Sequence, residues 1–103
     1  MRDKYRSGRI HEGKVGTRLK ELGFSNIRRS KGSRGPADIY ARTPSGFKAY
    51  LQVKSGNAAV SRQEIRKLRK LASERRGVAI TAHRKNGKTT LRFRGNWSRG
   101  TLE

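Results

Sequence analysis

Asp38, Gln52 and Lys54 are the residues whose types and spacing suit chemistry on a phosphate. Asp38 opens the run Asp38-Ile39-Tyr40-Ala41-Arg42, where Ile39 and Tyr40 predict a strand over residues 38–42. Lys48-Ala49-Tyr50-Leu51-Gln52-Val53-Lys54 predicts a second strand. Between them stands Thr43-Pro44-Ser45-Gly46, in which proline presets φ and glycine tolerates a positive value, so the two strands form a hairpin. On the second strand Lys48, Tyr50, Gln52 and Lys54 share one face, and Phe47, Ala49, Leu51 and Val53 share the other. The hairpin then brings Gln52 and Lys54 toward Asp38. A carboxylate, an amide oxygen and an ammonium on one side of a sheet can hold a hard cation beside a phosphate.

The rest of the chain must place that hairpin and recruit the phosphate. Its 103 residues suit one domain, read over 1–103 with a mobile lead-in at 1–7 and a tail at 95–103. Hydrophobic content of 31% allows only a thin core. With 27 Lys and Arg against 7 Asp and Glu, the net charge is +20. Such a field calls for a polyanion, and nucleic acid is the first candidate. No apolar run approaches spanning length, which argues against a membrane partner. No apolar stretch follows the first residues, so no secretory signal is expected and the reading is intracellular: cytoplasm or nucleoid, of the cell itself or of a host if the chain is viral. The absence of cysteine excludes disulfides, cysteine-based zinc sites and a thiol nucleophile. His11 and His83 are isolated and make no metal motif.

In chain order, Ser7 is a candidate cap for a helix over residues 8–22, closed by Gly23. Val15, Leu19 and Leu22 make its buried stripe, with Ile10 at the edge. Glu12 lies close to that stripe, open between a helix-start carboxylate and a site residue. Residues 24–30 predict a strand, with Phe24, Asn26 and Arg28 facing one way and Ser25, Ile27 and Arg29 the other. The loop Ser30-Lys31-Gly32-Ser33-Arg34-Gly35-Pro36 is either a connector or a backbone-and-cation cradle for phosphate leading into Asp38. Ser61-Arg62-Gln63-Glu64 is a capping box for a second helix with core positions Ile65, Leu68, Leu71 and Ala72, ended by Gly77. Arg62, Arg66 and Arg69 on that helix are candidate backbone contacts to nucleic acid. Residues 78–82 predict a strand buried on both faces, Asn86-Gly87 a tight turn, and residues 89–94 a half-exposed edge strand. The order αβββαββ makes a mixed α/β sheet flanked by helices.

The ordered set Glu12, Ser30, Asp38 and Gln52-Val53-Lys54 resembles the PD-(D/E)XK nuclease superfamily, in particular archaeal-type Holliday junction resolvases and the small virus-type nucleases of the VRR-NUC group. Tyr5-Arg6-Ser7-Gly8, Leu22-Gly23-Phe24 and Arg29-Ser30 extend the likeness, which covers about residues 4–82. It implies a restriction-endonuclease-like fold and a metal-dependent endonuclease acting on branched or four-way DNA. It implies Mg²⁺, with Mn²⁺ able to substitute, held by Asp38, Gln52 Oε1, the Val53 carbonyl and Glu12, with Lys54 as the motif lysine. Arg6, Arg29, Ser30, Lys31 and Arg34 would contact DNA beside the helix arginines. Gln52 departs from the glutamate usual in the family and supplies a neutral oxygen instead of an anion. The likeness to dimeric resolvases and the thin core also imply a homodimer, with Leu91, Phe93 and Trp97 as candidate contacts. The alternative is a non-catalytic basic DNA- or RNA-binding protein that keeps the fold.

Overall fold

Helix α1 (Lys4–Glu21) leads into three antiparallel strands, β1 (Ser25–Arg29), β2 (Ile39–Arg42) and β3 (Lys48–Ser55). Helix α2 (Arg62–Glu74) then crosses to β4 (Val78–Lys85), which runs parallel to β3, and β5 (Lys88–Asn96) returns antiparallel. The structure, a computed structural model, describes residues 4–30 and 35–96, with side chains from 12 to 95. The five strands form one mixed sheet in the order β1-β2-β3-β4-β5. Only the parallel β3–β4 step needs a crossover, and α2 supplies it.

The alternation along β2, β3 and β4 sends side chains to two cores. Toward α1, Val15 and Leu19 pack on Ile39, Ala49, Leu51, Val78, Ile80 and Ala82. Toward α2, Leu68 and Ala72 pack on Ala37, Tyr50 and Ala79. Each fully buried leucine or isoleucine contributes about 1.5–3 kcal/mol, so this small set carries much of the stability. β4 is buried along residues 78–82, as expected for a strand covered on both faces, with Thr81 the one polar residue in the run.

Several local signals hold. The Ser61 capping box is complete, with Ser61 Oγ accepting from Glu64 N and Glu64 Oε1 accepting from Ser61 N. Gly23 (φ 96°) closes α1, its N–H donating to Lys20 O while Phe24 N donates to Leu19 O. Asn86 and Gly87 both have positive φ, as a two-residue hairpin turn needs.

Others are corrected. α1 begins at Lys4, so Ser7 is inside the helix and residues 4–7 are its first turn instead of a lead-in. A cap is worth about 1 kcal/mol, and each residue added at the helix start brings another backbone hydrogen bond. Leu22 is 41% exposed because the helix ends before it. On β1 the expected alternation fails: Asn26 takes φ 50°, the register shifts between Ser25 and Arg28, and Phe24 and Ile27 both pack on the α1 core. Arg76 (φ 57°), not Gly77, takes the left-handed conformation after α2. Gly77 is needed for closeness, since a Cβ there would lie 2.5 Å from Tyr50 Cε2 and 2.7 Å from Lys48 O. β5 runs on to Asn96, past the expected start of the tail.

Candidate active site

Asp38 is fixed by backbone before its side chain is considered. Its N–H donates to Leu51 O at 2.7 Å and its carbonyl accepts from Ser30 N at 2.8 Å, which seats it between β1 and β3. Pro36 and the fully buried Ala37 deliver the chain to that point. From there Asp38 Oδ2 accepts the Val53 N–H at 2.8 Å. The Val53 carbonyl leaves the same edge of β3 as its N–H, toward Asp38. Burial pushes the Asp38 carboxyl above the ordinary carboxylate value; the Val53 N–H and the Lys54 charge oppose that rise, and the Glu64 charge adds to it.

Ile39 pairs with Leu51, so Gln52 and Lys54 reach the end of the sheet where Asp38 enters it. Both meet a residue that the sequence reading assigned only to a cap. Glu64, in the first turn of α2, turns Oε1 back to Ser61 N and points Oε2 at the sheet. Gln52 Nε2 donates to that oxygen at 3.0 Å and Lys54 Nζ at 2.8 Å. The Lys54 contact, followed by the Ser61 N–H, draws the Glu64 carboxyl down to about 2. One signal for this was present in the sequence: an acid in the first turn of the helix that follows the motif lysine is set over the sheet end by the crossover itself.

Because Glu64 Oε2 can only accept, the Gln52 amide must present its NH₂ to it and turn Oε1 the other way. Gln52 Oε1 is buried and has no hydrogen-bond donor among the described residues. A buried acceptor without a donor costs about 1–3 kcal/mol. A hard cation that takes oxygen ligands would satisfy it, so Asp38 and Gln52 fit a divalent metal.

The other expected residues divide. Glu12 lines a groove between α1 and β1 with Lys20, Arg29 and Ile39. Among the described residues no three of Asp, Glu, His and Cys group as a metal cage, so Glu12 is not gathered with Asp38 and Glu64. Ser30 is adjacent to Asp38 through its backbone N–H. Arg62, Arg66 and Arg69 are exposed on α2, and the Arg69 guanidinium lies over Gly95 of β5. Arg6 is in α1 with its side chain outside the described residues, as are Lys31, Arg34 and Trp97 entirely. His83 bonds the Gly56 carbonyl at 2.8 Å, a structural tie.

Comparison with known proteins agrees with this geometry. Among solved structures, a Holliday junction resolvase from the archaeal hyperthermophile Archaeoglobus fulgidus superposes with a TM-score of 0.66 at 22% identity, over 84% of this chain and 70% of that one. No curated protein matches. The fold is that of the resolvase. The restriction endonuclease family Mrr_cat matches residues 7–90, and the chain belongs to that family.

Proposed function

We propose that this nuclease is a divalent-metal-dependent, structure-selective endodeoxyribonuclease that cuts branched DNA such as a four-way junction. The observation that carries the reading is Gln52 Oε1, a buried acceptor with no donor among the described residues, on the strand whose Val53 N–H binds Asp38 and whose Lys54 shares Glu64 with Gln52. Asp38, Gln52 Oε1 and the Val53 carbonyl would hold Mg²⁺ or Mn²⁺. When bound, such an ion supplies polarisation of the phosphate and a lowered pKa for water. Glu12 stays a candidate contributor from α1.

The chain's own groups do the rest. Asp38 is aligned by the Val53 N–H, which fixes one of its two oxygens. Glu64 fixes the Gln52 amide and holds the Lys54 ammonium at the site. Lys54 then stabilises charge that grows on the phosphate as the P–O bond breaks, or orients the attacking water. The basic surface, including Arg29, Ser30 and the α2 arginines, binds backbone phosphates without reading bases.

Junction choice is the reading supported by the likeness to the archaeal resolvase. A two-fold homodimer would present two such sites to symmetric strands. Phe93, 61% exposed on the edge strand β5, is a candidate contact for the second copy. An intracellular location fits this substrate; among the described residues no helix is long and apolar enough to cross a membrane.

The test is to incubate a labelled four-way junction and a matched linear duplex with Mg²⁺ or Mn²⁺. Paired cuts at symmetric positions in the junction are expected, with the duplex cut far more slowly. Equal cutting of both would refute structure selectivity. Light scattering that gives a monomer mass with and without DNA would refute the dimer.

A further inference from the structure

The sheet face that carries Asp38, Gln52 and Lys54 continues away from them. Two residues on, Tyr40 of β2 stands opposite Tyr50 of β3, and two further on Arg42 stands opposite Lys48. Arg28 of β1 pairs with Tyr40 from the other side. α2 packs on β3, β4 and β5, so the β1–β2 half of this face lies open beside it. The result is a groove of about 870 Å³, bordered at the C-cap of α2 by Arg75.

Its chemistry is uniform. The floor is the half-buried Tyr40, edge to face with the buried Tyr50, ring centroids 5.6 Å apart. The rim is Arg28, Arg42, Lys48 and Arg75, all exposed, and among the described residues no acid lines the groove. Arg42 and Lys48 are direct cross-strand partners, an arrangement that is destabilising for like charges. Arg42 is partly anchored, donating from Nη1 to Gly46 O at 2.8 Å, which leaves four of its five N–H groups for other acceptors. A row of cations beside the Tyr40 ring suits a sugar–phosphate chain, with phosphates on the rim and deoxyribose against that ring.

Spacing ties the groove to the site. Four residues of strand separate Asp38 from Arg42, and at about 3.3 Å each they span about 13 Å. Each strand of duplex DNA carries one phosphate per about 3.4 Å of helix axis, so with β2 laid along that axis the distance is about four nucleotides. We propose that this groove is a second, non-catalytic binding site, for the phosphodiester backbone of the cut strand about four nucleotides from the scissile phosphate. Only that register rests on reading Asp38, Gln52 and Lys54 as the cleavage site; binding in the groove is measured without cleavage.

The experiment titrates a labelled duplex in a chelating buffer over a salt series. It compares the wild-type protein with Arg42→Gln/Lys48→Gln, with Arg28→Gln/Arg75→Gln, and with Lys14→Gln/Lys88→Gln. The last pair is exposed on the α1 side of the molecule and removes the same charge. Each groove pair should weaken binding about tenfold and reduce the salt slope by about 2, as expected for two lost phosphate contacts. The control pair should stay within about twofold of wild type. A four-way junction with neutral methylphosphonates about four nucleotides from its mapped cut should bind wild type more weakly, with little further loss in the groove variants. Equal losses from groove and control pairs would overturn the proposal while leaving the cleavage reading untouched, since that reading is tested at Asp38.

Discussion

The Lys54 ammonium lies 2.8 Å from Glu64 Oε2, and the same oxygen takes the Gln52 amide at 3.0 Å. Helix α2 therefore reaches back into the β2–β3 hairpin through one carboxylate. Glu64 sets the first turn of its helix with one oxygen and arranges the motif residues with the other. A carboxylate from the helix thus stands directly behind Gln52 on the sheet.

Glu64→Ala should lower the cleavage rate about 10- to 100-fold, the usual effect of losing a residue that orients a metal-site ligand. DNA affinity should hold or rise, because the net charge becomes more positive. Ser61→Ala separates the two jobs of the turn: it should cost about 1 kcal/mol of stability and leave cleavage intact. Wild-type cleavage by Glu64→Ala would reduce the contact to a helix cap.

The same contact has a pH signature. Glu64 titrates near 2 in the folded protein against an ordinary 4.5, so its charge is favoured by folding. That stability is present above pH 4.5 and is lost as pH falls toward 2. Asp38 works in the opposite sense, since its raised value makes the charged form a cost to the fold. Glu64→Gln keeps the capping box and removes the charge. Measured by denaturant unfolding in a chelating buffer, wild type should exceed Glu64→Gln at neutral pH, and the gap should close as the buffer is acidified. The gap should be modest, because a third of the Glu64 side chain is exposed. A gap independent of pH would mean that the charge plays no part.

Gln52→Glu should behave differently with and without metal. In the chelated protein it places two carboxylates at a contact that now measures 3.0 Å, beside the Lys54 ammonium bound to Glu64. The melting temperature should fall in a chelating buffer and recover as Mg²⁺ is added. The Mg²⁺ concentration needed for cleavage should drop, because a second anion now faces the ion. Superimposable Mg²⁺ and Mn²⁺ curves for wild type and Gln52→Glu would show that position 52 does not touch the metal.

Gly77→Ala tests the fold that carries the site. The added Cβ meets the Tyr50 ring and the Lys48 carbonyl well inside contact distance. A loss of about 1–3 kcal/mol is expected from overpacking, read as a lower denaturant midpoint with an unchanged slope. No loss would mean that the α2–β4 connection yields easily.

Much of this was legible because local signals agreed with tertiary ones. The Asp38–Lys54 hairpin has a turn with its own chemistry and strands whose alternation matches two buried faces, so its register follows from sequence. Ser61 and Glu64 announced a helix start that the structure keeps. The site role of Glu64 had one signal, an acid in the first turn of the helix after Lys54; which sheet residues it meets depends on where the crossover lays α2, a distance that pattern along the chain does not encode. The β1 alternation failed for a related reason: one positive φ at Asn26 re-aims the strand, and nothing local forces it. Leu22 was placed in the core on periodicity, but the helix ended one residue too soon. The groove beside α2 was invisible because Arg28, Arg42, Lys48 and Arg75 come from three strands and a helix end.

The most direct measurement compares wild type with Asp38→Ala and Lys54→Ala on one labelled four-way junction, scoring binding in chelator and cleavage after adding Mg²⁺. All three proteins should bind with similar affinity, since the wide basic surface supplies it. Only the wild type should cut, and only with the metal present. Cleavage by both variants at the wild-type rate would contradict the assignment of phosphodiester hydrolysis to Asp38, Gln52 and Lys54.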